Sequence, residues 1–491
     1  MTNKPGVAIV HYHLRTGGVT RVIQHIVSSV QDHGFRCVVL SGEEAPPSIA
    51  SQAEVRVIPD LSYRKAASPG LADRLLAELK EEAAAALGAR PDVWHFHNHS
   101  LGKNPAVPLA VHALAQEGRP LLLQIHDFAE DARPRNYSRL VDQVGGGDHS
   151  ALYKYLYPAA SHVHYAVLNG RDQEFLASAG AAPSNVNLLP NAITMGEPPE
   201  ASDSGPTEEP HRFIYPTRAI RRKNLGEFLL WAALDNGGGS YEITRAPRNP
   251  AERTRYERWI DFSEYLNLPA HFEVGEKADC SFLELLRTAH VLVTTSVAEG
   301  FGMCFLEPWL VGRPLAGRDL PEITRDFRSE GVDLSRLYGR LEVPVDWLDS
   351  ENVREKLKTE LENYRKHYGM STTETHVQLA WQAFVTEGRV DVGRLDESLQ
   401  EHLIRRVTKD QGARRSVRPS RLDGSRTKRE TIRNNQQAVQ RSFSLQAYGE
   451  KLADVYRQVA DSASEQPEAL SGSVILEEFL DPTRFSLLRT G

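Results

Sequence analysis

Short apolar runs alternate with stretches of helical period twice along this chain, and that rhythm limits its fold more than any other feature. Over the first half the runs are VAIVHYH, CVVLS, VRVI, DVWHFHNHS and LLLQIHD, and the first intervening stretch puts Val22, Ile23, Ile26, Val27 and Val30 on one face. Strands separated by helices cannot pair as tight hairpins. Each crosses over to lie parallel to an earlier one, which builds a parallel sheet wrapped by helices. After residue 211 the pattern restarts with RFIYPTR, YEITR, HFEVGE and HVLVTTS. The expected fold is α/β with two doubly wound domains, and length agrees, because 491 residues exceed the roughly 250–300 at which a single core stops growing.

The segment 196–211, GEPPEASDSGPTEEPH, carries five acids, no Lys or Arg and almost nothing to bury, the composition of a linker. The expected boundaries are a first domain at 1–195, the linker at 196–211, a second domain at 212–442 and a C-terminal segment at 443–491. Residues 334–407 read as mostly helical. Residues 401–442, with twelve Lys or Arg against four Asp or Glu, read as a basic, poorly packed surface loop. A last helix beginning at Phe443 spaces Leu445, Tyr448, Leu452, Val455 and Tyr456 for one buried face. The tail after residue 470 has no role in this reading.

Composition excludes several classes. A chain with 40% apolar and 25% charged residues is neither fibrous nor wholly disordered, and a net charge of −7 argues against a nucleic-acid partner. The first apolar run is too short for a secretory core, and no stretch approaches the roughly 18 apolar residues of a membrane span. Cys37, Cys280 and Cys304 are scattered, without disulfide or metal-ligand spacing, so a reducing, cytoplasmic setting is expected.

Three motifs carry chemistry. TGGVTRVIQ, at 16–24, lies where a strand gives way to a helix. Gly17 and Gly18 let a ligand approach the backbone, and free amides at the helix start favour a phosphate, although a plain strand-to-helix turn has the same composition. PTRAIRRKN, at 216–224, follows the first strand of the second half. Arg218 and Lys223 offer a guanidinium fork and an ammonium to a diphosphate, while four cations in six residues also suit a solvated face. In VLVTTSVAEGFGMCFLEPWL, Glu299 precedes the loop Gly300, Phe301 and Gly302, and Glu307 sits inside a helix whose opening amides, Phe301 to Met303 and Cys304, can meet a phosphate. HFHNH puts His95, His97 and His99 on one strand face, either to ligate a metal or to hydrogen-bond an acceptor sugar. No G-x-G-x-x-G occurs, which weakens a dehydrogenase reading, and no D-x-D occurs.

Taken in order, GGVTR, the pair His126-Asp127 after LLLQI, NLLPNAI, R-x4-K at Arg218 and Lys223, and E-x7-E at Glu299 and Glu307 resemble family-4 glycosyltransferases of the B fold. The resemblance spans about Val7 to Ile323 and adds the last helix, which in that family crosses back to the first domain. It implies two Rossmann-like domains facing a cleft and retaining transfer of a hexose from a UDP-, GDP- or ADP-sugar to a hydroxyl acceptor. No metal or other cofactor is implied. By the same resemblance Gly17 and Gly18 lie against the donor diphosphate, which Arg218 and Lys223 neutralise. Glu299 meets the transferred sugar, Glu307 the ribose, and His126 lies by the reacting sugar. His95, His97, His99 and Asp127 are acceptor-side candidates. An epimerase of similar fold and a non-catalytic nucleotide-sugar-binding protein are the alternatives; acceptor and oligomeric state stay open. The chain departs from the family in having Asn191-Ala192 where N-G is usual, and Pro308 directly after Glu307.

Overall fold

The structure, a computed structural model, describes residues 4–66, 68, 70–195, 211–235, 238–422 and 427–489. Nearly all of the expected linker therefore lies outside the described residues. The chain divides into two compact units: one runs to Ala192 and includes His367–Gly369 and Ser442–Leu480, and the other comprises Ile193–Lys366, Met370–Arg441 and the residues from Asp481 onward.

Seven strands form the sheet of the first unit: β1 Gly6–His11, β2 Arg36–Ser41, β3 Glu54–Val57, β4 Val93–His97, β5 Leu121–Ile125, β6 Val163–Val167 and β7 Val186–Leu188. Their order is β3-β2-β1-β4-β5-β6-β7, and every neighbouring pair is parallel. The second unit has β8 His211–Arg218, β9 Gly239–Arg245, β10 Ala270–Phe272, β11 Val291–Thr294, β12 Leu315–Arg318 and β13 Leu337–Tyr338, in the order β10-β9-β8-β11-β12-β13. These pairs too are parallel. Each sheet is wound outward from its first strand and reverses once, between β1 and β4 in one unit and between β8 and β11 in the other. At such reversals crossovers leave in opposite directions, and a crevice opens beyond the carboxyl ends of the strands.

The central strands are buried along their whole length, as strands covered on both faces must be. Helix Gly18–Ser29 places Val22, Ile23, Ile26 and Val27 against β1 and β2 and against Tyr448, Leu452, Ala453, Tyr456 and Val459 of helix Leu445–Ala460. Gly449 permits the close crossing, since a Cβ there would lie 2.8 Å from Ser29 Cβ. In the second unit helix Leu225–Leu234 is wholly buried and, except for Glu227, apolar all round. That carboxylate and Asp391 both receive Arg318, at 2.5 and 2.7 Å, so a buried charge is balanced on each side.

One expectation is corrected. Residues 401–442 are not a loosely packed loop: they include most of helix Glu397–Lys409, then helices Gln411–Ser416 and Arg429–Phe443, and Leu403, Ile404 and Val407 are fully buried in the second core. The cations occupy the outward faces of amphipathic helices. The tail, for which the sequence suggested no role, divides between the two units. Helix Gly472–Phe479 brings Phe479 to 5.0 Å from both Phe128 and Phe175, whereas Phe485 and Leu487 enter the second core.

Candidate functional site

At the reversal of the first sheet, β1 ends on His11, β4 ends on His97, and His126 follows β5 directly. Three imidazoles thus converge because three adjacent strands stop at one level. The His97 and His126 rings stack with centroids 5.2 Å apart, joined by a 2.9 Å hydrogen bond between His97 Nδ1 and His126 Nε2, and His11 meets His97 edge-on at 6.1 Å. Burial holds all of them neutral: His126 and His11 are lowered to about 3, His11 also by the neighbouring His13 and His126, and His97 lies well below its ordinary value. Such rings donate and accept hydrogen bonds but carry no charge at neutral pH.

The three histidines of HFHNH do not share one face. The strand stops at His97 and Asn98 takes a left-handed φ of 56°, which turns the backbone away. His99 then meets the Leu156 carbonyl through Nε2 at 2.7 Å. His95 is saturated by the Tyr456 hydroxyl at 2.8 Å and Gln124 Oε1 at 3.0 Å. Both are fully buried framework residues. Among the described residues His97 Nε2 and His99 Nδ1 have no hydrogen-bond partner, and of these two only the His97 ring belongs to the cluster with His11 and His126. Also among the described residues, no three His, Cys, Asp or Glu are arranged to hold a metal. Asn98 Oδ1 accepts the amides of His126 and Asp127 at 2.7 and 3.1 Å, fixing that turn, and the Asp127 carboxylate receives Arg133 at 2.6 Å.

Gly17 and Gly18 open helix Gly18–Ser29, whose N-terminus has no side-chain cap and is exposed. Neither glycine has a positive φ, and a Cβ at Gly18 would touch nothing within 4 Å. Packing and backbone geometry therefore leave both positions free to carry a side chain.

In the second unit the reversal is charged. Lys223 ends the 3₁₀ turn Arg221–Lys223 after β8, and its ammonium pairs with Glu299, on the loop after β11. Burial opposes both charges, yet each outweighs the penalty on the other: the Glu299 carboxyl stays below its usual range, helped by Arg222, and the Lys223 ammonium is pushed up to about 12. The Lys223 carbonyl accepts the Tyr215 and Thr295 hydroxyls, both at 3.0 Å. Asn224, left-handed at φ 54°, is gripped by Glu227 at 2.7 Å and Gln400 at 2.8 Å. The lysine is thus held at both ends. Arg218 closes β8 half-exposed, with Arg245 and Arg248 depressing its affinity for protons beyond the effect of burial.

The E-x7-E segment differs from expectation in one respect. A 3₁₀ turn, Met303–Phe305, follows the loop, and the helix proper is Glu307–Leu310, so Glu307 stands at a helix start rather than inside one. This accommodates Pro308, which is tolerated in a first turn and disfavoured further in. Gly302 is required, with φ 93° and a Cβ position 2.9 Å from the Phe305 ring. Cys304 Sγ lies 3.7 Å from Glu299 Oε1. Ala192, standing where the family prefers glycine, has no positive φ.

Sequence reasoning passed over Arg245 and Arg248, which line a pocket of about 460 Å³ with Arg218. The rule that ligands sit beyond strand carboxyl ends, applied to YEITR as it was to RFIYPTR, finds Arg245.

Solved structures share this architecture. Sucrose-phosphate synthase from Thermosynechococcus elongatus superposes with a TM-score of 0.53 at 15% identity, covering 93% of this chain and 99% of that one. HepE from Anabaena, solved with UDP, gives 0.54 at 13% identity over 92% and 99%. Two parallel sheets of matching strand order give this chain the two-domain B fold of those structures. Residues 17–192 match the glycosyl transferase 4-like domain. Mannosylglucosyl-3-phosphoglycerate synthase from Petrotoga mobilis is 28% identical over 383 residues, 72% of each chain. The matched domain and the relative both point to a glycosyltransferase. Among the described residues no helix is long and apolar enough to cross a membrane.

Proposed function

We propose that this enzyme moves a hexosyl group from a nucleoside diphosphate sugar to an acceptor hydroxyl with retention of anomeric configuration, in the cytoplasm and without a metal. The observation that carries the reading is the fixed Lys223–Glu299 pair, with the part-exposed Arg218 at the end of β8 five residues before Lys223. As the bond from sugar C1 to the diphosphate oxygen breaks, negative charge grows on the phosphate. Arg218 and Lys223 stabilise it without reorganising. The acceptor oxygen bonds to C1 on the face the phosphate leaves, and its proton passes to the departing phosphate oxygen. Glu299, kept ionised, orients sugar hydroxyls, and Glu307 takes the ribose. His126 and His97, uncharged, are suited to hydrogen bonds with hydroxyls and not to general acid catalysis. Gly17 and Gly18 offer amides to phosphate. HepE, of like fold, was solved with UDP-glucose, and the Petrotoga relative is named for a glycosylated phosphoglycerate product, which together favour a nucleotide sugar and a small saccharide acceptor.

The test is release of nucleoside diphosphate from a panel of UDP-, GDP- and ADP-sugars with and without candidate acceptors, in EDTA. Acceptor-dependent release that falls about 10²-fold in Arg218→Ala, with unchanged thermal unfolding, is expected. Conversion of donor without acceptor marks the epimerase alternative.

A further inference from the structure

The pocket beside Arg218 holds more positive charge than a diphosphate needs. Its wall comprises Arg218, Arg245, Arg248, Arg253, Gly275 and Glu276, at the carboxyl ends of β8, β9 and β10. Arg253 is spent on Glu257 at 2.9 Å and Glu273 at 3.4 Å. Arg245 lies across the β8–β9 ladder from Arg218, its guanidinium held 4.5 Å from the centre of the Phe282 ring. Arg245, Arg248 and Glu276 have no ion-pair partner among the described residues. Glu276 is exposed on the short helix Val274–Lys277, near enough to Arg218 to favour its charged form.

Resting on the reading of this unit as a nucleoside diphosphate site, we propose that the pocket selects a guanine base, so that the donor is a GDP-sugar. The chemistry of the bases separates them. Guanine places two acceptors, O6 and N7, side by side on one edge, the pattern an arginine fork meets with two hydrogen bonds. On its other edge N1–H and the 2-amino group are donors, which a carboxylate accepts together. Adenine turns an amino group toward the arginine and the bare N1 acceptor toward the carboxylate, so both contacts become unfavourable. Uracil has one N–H between two carbonyls and cannot satisfy a fork and a carboxylate with paired hydrogen bonds. Arg245 or Arg248 with Glu276 therefore matches guanine on both edges.

Calorimetric titration of GDP, IDP, UDP and ADP into the full-length protein tests this. GDP is expected to bind at least about tenfold more tightly than UDP or ADP, the scale of one bidentate base contact. IDP, lacking the 2-amino group, should fall between. Glu276→Ala should weaken GDP about tenfold, erase the GDP–IDP difference and leave UDP and ADP unchanged; the side chain is exposed, and thermal unfolding checks the fold. Equal affinities, meaning that the extra arginines serve phosphate only, or tighter binding of UDP or ADP, would overturn the guanine assignment and leave the diphosphate site standing. Failure of every nucleoside diphosphate to bind would instead remove the reading beneath it.

Discussion

The two sheets have the same strand order and reverse at the same place, yet their carboxyl ends carry opposite electrostatics. In the first, His11, His97 and His126 are packed together and burial strips them of charge. In the second, Lys223 and Glu299 are about as enclosed but stay ionised, because each is the other's counter-charge. Winding of the sheet decides where a crevice opens; the side chains at the strand ends decide whether burial neutralises or is overruled. The neutral end suits hydroxyls. The charged end suits a phosphate and the group bound to it.

Acid separates the two ends most strongly. His11, His95 and His126 titrate near 3 in the fold, against about 6.5 when unfolded. Between those values the unfolded chain binds more protons, so stability is full above about pH 6.5 and falls as pH drops toward 3. Each histidine withdraws on the order of 2 kcal/mol by pH 5, at about 1.4 kcal/mol per pH unit. The Glu299 contribution, from a depressed carboxyl, is lost only at more acidic pH, below the ordinary glutamate range. Hydrogen exchange followed from pH 7 to 4.5 should show β4 and β5 losing protection while β8 and β11 keep theirs. Simultaneous loss in both units would break the comparison.

Lys223→Ala comes next in size. It should lower turnover about 10²-fold or more, and it should also cost about 3–5 kcal/mol of stability by leaving Glu299 buried and unpaired. The pairing adds the second effect, which a lysine free to meet phosphate would not show. Lys223→Met combined with Glu299→Gln should recover most of the stability in urea melts and none of the turnover. Recovery of both would mean that the pair is structural alone.

The sheets and the placing of each motif after a strand were legible because apolar runs and helical period report on burial directly. Where reading failed, a different force governed. Residues 401–442 looked unpackable by charge count, but Leu403, Ile404 and Val407 recur at helical spacing and one buried face suffices. Alternation along HFHNH was carried past His97 although Asn98 is of a residue type that enters the left-handed region more readily than most, the one local signal that the strand could stop there. The partners that saturate His95 include Tyr456, which lies 361 residues away and cannot be found from local pattern. Arg245 closes a strand whose end was never tested for ligands.

The smallest effect expected concerns the first unit's helix start and shows whether its neutral end also meets the donor. Gly302 and Gly18 both flank motifs, but for different reasons. Gly302 has a left-handed φ and no room for a Cβ, so Gly302→Ala should destabilise the fold whatever the ligand. Gly18 has an ordinary φ and open space where its Cβ would go. Gly18→Ala should therefore leave stability unchanged or slightly raised, since alanine restricts the unfolded chain and favours the helix. If the phosphate approaches the backbone here, the added methyl group should weaken the nucleotide sugar about tenfold through lost amide hydrogen bonds, each worth about 1.5–3 kcal/mol to a charged group. KM for the donor should rise, with KM for the acceptor unmoved. A variant with unchanged donor KM and unchanged melting would reduce the motif to a strand-to-helix turn and confine recognition of the phosphate to the charged end.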